Sequence, residues 1–600
     1  MKTQTLLLAA VMIFAVSFGA QAAKKVKNEQ ENSIAAEMKQ YDGARLRQIA
    51  HECRQNGDSR RLAAALFALT SIETSRFDIR IELGDVLFSD NKFEDAIRVL
   101  NEASAIIPSD AAPHKLLAQI YNKMGNDSKR LSHLNSAANL GVSSWENQFM
   151  LASYYAQKGM NEKAEPLFIK ASELNGEAAI VKFEYGKLLL NNGDAENAFR
   201  KFSDALLLEP NNPYFVAFHA YSAALTGRDG MVREPIRDAL KSAPRDPEVL
   251  YISAMIHNAY GETDAAKKAL TAALSYSPND YKVMEALADL LVTEMKFKEA
   301  CKYYLIVMEK AGFSEQRAYK LGKTLALDMK QKEALSFFEA AAKMDNNDEV
   351  LYRLTDTYCE LGDLKQAQAT LNRFGGKRSV VWYQAAAGRV HEAQNEPYLA
   401  WIAYSTSNKF DADNPYVNAG FGRILSERNE YDSAITFFNA AQQNDPLNMR
   451  ILINTAKVYE KMGSNESALD VYENVLAKYP EHPDVYITVA TMKAQNGDYK
   501  GAAKCLTAAL EIRPKDAKIN FMLGQMYQAC NYHESAINAY QASLKVRGSQ
   551  NIEALRMIGN IYYSKLTDEK RAKEFFKRYV KAGGRNSEVD DIMSKLNSKG

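Results

Sequence analysis

Cysteine is scarce in this sequence, with five residues among 600, and the five lie far apart. A secreted disulfide framework needs a dense and even set of cysteines, so that class of protein is not expected. The spacing favours small buried side chains on helices, with a single bridge between Cys505 and Cys530 as the alternative. An excess of either charge is also missing, since 75 Lys and Arg residues face 74 Asp and Glu residues. A balanced chain has no net field to attract nucleic acid or anionic lipid, so neither is expected as a partner.

Long apolar runs are missing too, and the longest candidate lies at the N-terminus. Lys2 precedes the apolar stretch 6–18, and the small residues Ala20 and Ala22 follow it. This stretch is shorter than the roughly 20 residues that a membrane-spanning helix needs. The pattern predicts a signal peptide, residues 1–22, that is cleaved after Ala22, and an uncleaved anchor is the alternative. We therefore expect an exported chain without a membrane span after cleavage, in the periplasm or at the outer membrane of a bacterium.

What the sequence has in abundance is repetition with a period of 34 residues. Prolines recur at this interval or its multiples within two sets: Pro108, Pro210, Pro244 and Pro278, and then Pro446, Pro480 and Pro514. A slot for a small residue recurs in the same way within two sets: Ala96, Ala164, Ala198, Ala266, Ala300 and Ala334, and then Ala434, Ala468, Ala502 and Ala536. A bulky apolar residue stands four positions after each of these alanines, for example Phe202 after Ala198. A fixed period over so many copies indicates a repeat architecture.

The combination of small residue, bulky residue and terminal proline resembles the tetratricopeptide repeat. The segment Leu523-Gly524-Gln525-Met526-Tyr527, followed by Ala536 and Tyr540, reproduces the repeat pattern closely. The resemblance covers residues 43–582, about sixteen units, and implies two antiparallel helices per unit. It predicts an all-α fold, an α-solenoid that winds as a right-handed superhelix of about sixteen helix pairs. Small residues such as Gly186, Gly422, Gly524 and Gly559 are expected where two helix backbones approach closely.

The ends and one irregularity divide the chain into predicted segments. Residues 1–22 form the signal peptide, 23–42 a charged segment with a leading helix, 43–376 and 377–582 two parts of the repeat array, and 583–600 a capping helix. The 34-residue spacing is interrupted near Gly375-Gly376, and the two glycines predict either a hinge or a tighter loop at this point. Ser587 is the expected N-cap of the last helix, which carries Val589, Ile592, Met593 and Leu596 at helical spacing.

Residues for catalysis or for metal binding are not assembled in the sequence. The eight histidines are dispersed, and His391-Glu392 lacks the second histidine that a zinc-protease helix requires. The repeats also leave no stretch of chain for a catalytic domain. We therefore expect a protein that is not an enzyme and that has no catalytic residues, no metal and no cofactor.

The resemblance implies that the first helices of the units line a concave groove. Read in register, positions that project into such a groove carry a series of aromatic and basic residues: Phe149, Phe183, Tyr214, Tyr221, Tyr251, Tyr319, Tyr352, Trp382, Arg389, Tyr416 and Arg423. Rigid rings with a few polar neighbours suit extended peptide segments or sugar rings. The alternative is that many of these rings pack between adjacent first helices. The sequence thus favours a scaffold that binds other proteins in a cell-envelope assembly, for secretion, outer-membrane assembly or motility, and leaves open a scaffold for exopolysaccharide export.

Overall fold

The computed structural model describes residues 32–374, 380–546 and 551–598, which are almost entirely helical. The chain forms two compact units, which divide between Tyr276 and Ser277. In the first unit the helices are α1 (32–38), α2 (Gly43–Asn56), α3 (Ser59–Ile72), α4 (Phe77–Ser89), α5 (Phe93–Ile106), α6 (Ala112–Lys123), α7 (Asp127–Leu140), α8 (Trp145–Gln157), α9 (Asn161–Leu174), α10 (Ala179–Asn191), α11 (Ala195–Leu208), α12 (Pro213–Leu225), α13 (Arg233–Ser242), α14 (Pro247–Ala259) and α15 (Thr263–Tyr276). A short 3₁₀ turn, Asp229–Met231, precedes α13.

The second unit continues the same alternation. Its helices are α16 (Tyr281–Thr293), α17 (Phe297–Ala311), α18 (Glu315–Leu327), α19 (Gln331–Met344), α20 (Asp348–Leu361), α21 (Leu364–Leu371), α22 (Val380–Ala393), α23 (Pro397–Asn408), α24 (Pro415–Glu427), α25 (Tyr431–Asn444), α26 (Met449–Lys461), α27 (Asn465–Lys478), α28 (Pro483–Gln495), α29 (Tyr499–Ile512), α30 (Ala517–Ala529), α31 (His533–Lys545), α32 (Ile552–Ser564), α33 (Glu569–Lys581) and α34 (Ser587–Ser598). From α2 to α33 each even-numbered helix packs against the odd-numbered helix that follows it, which makes sixteen pairs. The predicted all-α fold of paired helices is confirmed.

Short turns with a left-handed residue separate the two helices of each pair. Gly193, Gly362 and Gly497 all have positive φ, between 78° and 81°. This conformation favours glycine because a side chain there would clash with the backbone. The aspartate after each of these glycines caps the second helix, as Asp194 does by accepting a hydrogen bond of 3.1 Å from the backbone N–H of Asn197. The sequence Gly-Asp thus ends one helix and begins the next within two residues.

The small residues lie where the two helices of a pair touch. A Cβ atom built on Gly186 would stand 2.6 Å from the ring of Phe202, and one on Gly524 would stand 2.6 Å from Tyr540. Phe202 and Tyr540 are themselves fully buried. The bulky residue of the second helix therefore fills the space that the small residue of the first helix leaves, as the repeat pattern predicts.

The last helix closes the second unit with an apolar face. Val589, Ile592 and Leu596 are buried in one cluster with Phe575 and Phe576 of α33. The predicted N-cap is wrong by one position, because Ser587 is the first helical residue. Asn586 provides the cap, and its side chain accepts a hydrogen bond of 3.2 Å from the backbone N–H of Val589.

Several sequence predictions lie at or beyond the limits of the description. The signal peptide, residues 23–31 of the charged segment and the pair Gly375-Gly376 lie outside the described residues, so they stay predictions. The predicted division at residues 376/377 falls in the same undescribed segment, 375–379, and also stays a prediction. All five cysteines are free, so the bridge between Cys505 and Cys530 does not form in this structure.

Candidate binding surface

The first helices of neighbouring pairs lie side by side within each unit, and we call the surface that they share the first-helix face. In the first unit α4 contacts α6, α8 contacts α10 and α12 contacts α14. In the second unit α20 contacts α22, α22 contacts α24 and α24 contacts α26. All eleven predicted groove residues belong to first helices, with five in the first unit and six in the second.

The first unit keeps part of its aromatic series accessible. Tyr214 is 38% exposed, and its hydroxyl donates a hydrogen bond of 2.7 Å to Asp246. Phe149, Tyr221 and Tyr251 are half-buried and pack against the core of the unit. Tyrosines held in this way present a ring edge at low cost in side-chain entropy, which suits contact with a ligand.

Phe183 is not part of an accessible surface, and its predicted place in the groove is wrong. Its ring centroid lies 4.7 Å from that of Phe215 and 5.1 Å from that of Phe218, and the residue is buried. Two phenylalanines on the next first helix cover it. A large ring between adjacent first helices gains more from this packing than from exposure to water.

In the second unit the predicted aromatic residues come together into one cluster. The ring centroid of Tyr352 lies 4.9 Å from Tyr416 and 5.6 Å from Trp382, and Trp382 lies 6.0 Å from Tyr416. Tyr352 is only 3% exposed, so it is a core residue and its predicted contact with a ligand is wrong. Trp382, Tyr416 and the neighbouring Tyr319 are half-buried and retain an accessible edge.

A network of arginines and carboxylates lies beside this cluster. Asp356 accepts a hydrogen bond of 2.7 Å from Arg389 and one of 2.9 Å from Arg450. Burial alone would raise the pKa of Asp356, but the two guanidinium groups outweigh it and hold the pKa well below the usual range. Paired charges of this kind are stable in the interior only while every partner is present.

Arg423 completes the network through a second carboxylate. Its guanidinium group makes two hydrogen bonds to Glu392, of 2.5 Å and 2.9 Å, and Glu392 also accepts one of 2.9 Å from Tyr404. Burial would raise the pKa of Glu392, and the charge of Arg423 lowers it below its ordinary value. The predicted groove residues Arg389 and Arg423 therefore have their charges neutralised by partners within the chain.

The second unit also makes a contact between residues distant in sequence. Phe297 at the start of α17 stacks on Tyr479, with ring centroids 6.1 Å apart, and Lys298 pairs with Glu481 at 2.9 Å. The structure thus brings the beginning of this unit against the turn between α27 and α28.

Sequence reasoning missed Asp356, although its position carried a signal. Lys323, Asp356, Arg389 and Arg423 occupy the same position in four successive first helices, ahead of turn residues with positive φ (Met329, Gly362, Asn395 and Asn429). A carboxylate at a position that is basic in the neighbouring repeats indicates an ion pair across the first helices. Arg450, the other partner of Asp356, lies 94 residues away and no local pattern indicates it.

Two histidines lie between the helices α6 and α7, which form one helix pair of the first unit. The Nδ1 atoms of His114 and His133 are 2.9 Å apart, and the ring of Tyr121 stacks on His133 with centroids 5.4 Å apart. Burial lowers the pKa of both histidines, and the charge of His114 lowers the pKa of His133 further. A hydrogen bond between the two Nδ1 atoms needs one donor and one acceptor, so it requires that at least one ring is neutral.

The first unit should therefore lose stability as the pH falls through the titration of this pair. The unfolded chain protonates its histidines near pH 6.5, above the lowered pKa values of the folded state, so it binds more protons below that pH. We expect the free energy of unfolding to fall from pH 7 to pH 5, and to fall less steeply in a variant with His114→Gln and His133→Gln. Urea unfolding, followed by the fluorescence of Trp145 in chains that all carry Trp382→Phe and Trp401→Phe, measures both slopes. His219, whose pKa burial also lowers, serves as the control, since His219→Gln leaves the contribution of the pair in place. Equal slopes for the wild type and the double variant would contradict the prediction.

Two further findings concern the described part of the chain. Among the residues that the structure describes, no three His, Cys, Asp or Glu side chains are grouped so that they could hold a metal ion. Nor does any helix within residues 32–374, 380–546 and 551–598 combine the length and the hydropathy that a membrane crossing requires.

The fold and its first-helix faces define the class of this protein, an all-α protein of repeated antiparallel helix pairs. Sequence models described as tetratricopeptide repeat match residues 149–214 and 419–483, residues 331–375 and 459–519, and residues 517–550. These segments are similar to tetratricopeptide repeats, and helix pairs of the same kind recur from α2 to α33.

Proteins similar to this chain share its repeats at low sequence identity. The TPR repeat-containing protein MJ1428 of Methanocaldococcus jannaschii is 20% identical over 68% of this chain and 77% of its own length. Cellulose synthase operon protein C of Pseudomonas fluorescens is 21% identical over 78% of this chain, which spans only 34% of that relative. Among solved structures, the APC/C hetero-tetramer Cut9-Hcn1 is 14% identical, with a TM-score of 0.43 over 81% of this chain and 96% of that chain.

Proposed function

We propose that this protein is an exported, non-catalytic scaffold that binds partner proteins or peptide segments in a bacterial cell envelope. The observation that carries the proposal is the coverage of the chain by helix pairs, from α2 to α33, with one further helix described at each end. A scaffold of this kind acts through the faces of its repeats, and tetratricopeptide repeats generally bind proteins or peptides. Export rests on the N-terminal pattern around residues 6–22 and places the partners in the periplasm or at the outer membrane.

The accessible aromatic residues of the first unit are the working surface that we propose. Tyr214, Tyr221 and Tyr251 lie on the neighbouring first helices α12 and α14, and all three remain at least partly exposed. Rigid rings on well-packed helices can anchor a partner segment without a large loss of side-chain entropy. In the second unit, by contrast, much of the equivalent face is occupied by its own ion pairs.

A scaffold for exopolysaccharide synthesis or export is the second candidate. Partly exposed tyrosines also suit the apolar faces of sugar rings. The relative named for a cellulose synthase operon matches most of this chain, although the chain spans only about a third of it. Here the same three tyrosines would contact a passing polymer.

One experiment separates the two candidates. The full chain, with residues 1–22, is expressed in a Gram-negative host, cross-linked in the recovered periplasmic fraction, and compared with a variant carrying Tyr214→Ala, Tyr221→Ala and Tyr251→Ala. We expect the protein in that fraction to begin at Ala23, and the variant to lose about tenfold or more of its cross-linked partner proteins, because anchor residues dominate binding free energy. Binding to cellulose and to anionic polysaccharide beads is measured in parallel.

The control variant changes exposed residues of the second helices in the same unit, Ile169→Ala, Leu207→Ala and Tyr276→Ala, and should bind like the wild type. Circular dichroism checks that the helicity of both variants is unchanged. If the tyrosine variant kept its helicity and still bound the partner proteins, the first-helix face of the first unit would not be the binding surface. Loss of polysaccharide binding alone would favour the second candidate, and absence of the chain from the periplasm would refute export.

A further inference from the structure

Helix α33 concentrates positive charge in a chain whose total charge is balanced. Its 13 residues include six Lys or Arg side chains and two Glu side chains, a net charge of +4, whereas the whole chain carries +1. The charge balance of the whole sequence gives no expectation of an anionic partner, and it conceals this local excess. Like charges on one helix repel one another, so the excess does not stabilise the fold.

The cations of α33 lie on the side of the helix that faces solvent. The other side is buried in the core of the second unit through four residues: Ala572, Phe575, Phe576 and Tyr579. Five exposed cations occupy the solvent side, and we call them the basic face: Lys570, Arg571, Lys577, Arg578 and Lys581. Spacings of seven and four positions place the three lysines in one row, and the two arginines form a second row beside it. At 1.5 Å per residue the basic face extends over about 16 Å.

Carboxylates of the chain leave most of the basic face unpaired. Arg571 pairs with Asp568 at 3.4 Å, and 63% of the arginine side chain is still exposed. None of the three lysines forms an ion pair with any residue that the structure describes. Glu574 lies between the two rows, and one carboxylate cannot balance five cations. The basic face therefore presents an excess of positive charge to solvent.

Aromatic rings and apolar side chains border the basic face. The guanidinium carbon of Arg571 lies 5.5 Å from the centre of the Tyr562 ring. That of Arg578 lies 5.0 Å from the centre of the Phe575 ring. Contacts of this kind position a guanidinium group without using its hydrogen-bond donors. Two exposed apolar side chains stand close to these cations along the chain: Leu566, 38% exposed, and Val580, 48% exposed.

The composition and shape of the basic face select one kind of anionic partner. Single-stranded nucleic acids and sugars are bound by stacking on aromatic rings, and all three aromatic residues of α33 are buried. A peptide segment is bound in a groove or along a sheet edge, whereas the basic face is the outer side of one helix. A lipid surface requires neither, because Lys and Arg side chains reach its anionic headgroups and exposed apolar side chains enter between them. These features favour an anionic membrane surface.

We propose that the basic face of α33 binds the anionic headgroups of a lipid membrane surface, with Leu566 and Val580 entering the headgroup region beside it. The contact is peripheral and needs no membrane-spanning helix. The inference goes beyond the proposed function, since its partner is a lipid surface and not a protein or a polysaccharide. It also concerns a different part of the chain from the three tyrosines of the first unit.

The test measures how the full chain sediments with lipid vesicles. One set of vesicles contains equal parts of phosphatidylglycerol and phosphatidylcholine, and the other contains phosphatidylcholine alone. We expect saturable binding to the anionic vesicles, weaker at high salt, and no binding to the neutral vesicles. Polygalacturonate beads and single-stranded DNA are the comparison polyanions, since they carry charge without a lipid surface.

The lysine variant replaces one row of the basic face: Lys570→Gln, Lys577→Gln and Lys581→Gln. Each cation near an anionic membrane strengthens binding by about fivefold, so this variant should bind about a hundredfold more weakly. The matched control replaces three exposed lysines on α29 and in the turn after it: Lys500→Gln, Lys504→Gln and Lys515→Gln. It loses the same charge and should bind like the wild type. All these chains carry the same residues 1–22, so any binding through that segment is equal among them.

An apolar variant, Leu566→Ser with Val580→Ser, tests the contact with the headgroup region. It should bind the anionic vesicles severalfold more weakly, because it keeps the cations and loses the apolar side chains. Its helicity and its thermal unfolding midpoint should match those of the wild type, since both replaced side chains are exposed. The lysine variant is checked in the same way.

The inference is wrong if the two kinds of vesicle bind equally or not at all, or if the lysine or the apolar variant binds like the wild type. It is also wrong if the control loses as much binding as the lysine variant, or if polygalacturonate or DNA binds more tightly than the anionic vesicles. Should the lysine variant fail to fold, Lys577→Gln alone decides the matter, with an expected loss of about fivefold. If no vesicles bind while the tyrosine variant still loses its cross-linked partners, the proposed scaffold survives and only this inference fails.

Discussion

Replacing Asp356 with alanine should lower the free energy of unfolding of the second unit by about 3–5 kcal/mol. The substitution leaves Arg389 and Arg450 without their shared carboxylate, while both remain largely buried, with 12% and 21% of their side chains exposed. Glu360, which both arginines also contact, cannot neutralise two guanidinium groups at once, and Glu392, 3.8 Å from Arg389, already pairs with Arg423. Urea unfolding, followed by the fluorescence of Trp382 in the chain with Trp145→Phe and Trp401→Phe, measures the change in this unit.

Two control variants accompany Asp356→Ala. The first tests whether the loss of stability comes from the charge or from the packing of the side chain, and the second tests whether an exposed ion pair contributes as much as the buried one. Asp356→Asn keeps the shape of the side chain without its charge, and should lose most of the same stability. Glu427→Ala breaks the exposed pair with Lys461, at 2.7 Å, and should change the free energy of unfolding by less than about 1 kcal/mol. Similar small effects for Asp356→Ala and Glu427→Ala would show that the buried network contributes little.

Replacing Phe202 with alanine should lower the free energy of unfolding of the first unit by about 3–5 kcal/mol. Its ring is fully buried against Gly186, which has no side chain to fill the cavity that the substitution leaves. Packed helices relax only partly, so the lost contacts and the remaining cavity both contribute. Trp145 packs against the same apolar cluster, and its fluorescence in a chain with Trp382→Phe and Trp401→Phe reports the unfolding transition.

The matched control for this prediction is Leu207→Ala on the same helix, α11. Leu207 is 81% exposed, so its removal should change the free energy of unfolding by less than about 0.5 kcal/mol. A large loss for both variants would point to the helix propensity of α11 and not to the cavity. No loss for Phe202→Ala would contradict the role that the repeat pattern assigns to the bulky residue.

The periodic slots allowed accurate prediction of the helix pairs because each slot has a local physical reason. A glycine or alanine in the first helix and a bulky residue in the second must meet wherever the pair forms, as Gly524 and Tyr540 do. The Gly-Asp turns likewise combine a left-handed residue with a helix cap, and need no information from the rest of the chain. The cap of the last helix was predicted one residue late because Ser587 and its neighbour Asn586 both suit the position.

The candidate surface was predicted less well, because exposure depends on the neighbours of each first helix. The positions of Tyr221 and Tyr352 in their helices are both consistent with a groove, yet only Tyr221 keeps an accessible part. Tyr352 is covered by Trp382 and Tyr416, which come from the two following first helices. The residue pattern of one repeat does not specify how closely the first helices of three successive repeats pack around one aromatic ring.

The sequence by itself determined that this protein is an array of about sixteen helix pairs, and which small and bulky side chains meet between the two helices of a pair. These features repeat every 34 residues and depend on contacts within one pair, so they can be read from local spacing. Only the tertiary structure decided which groove residues stay accessible, and that Asp356 joins Arg389 to the distant Arg450. The reason is physical: burial and ion pairing depend on the curvature of several repeats together, and that curvature is the sum of small packing differences that no single repeat contains.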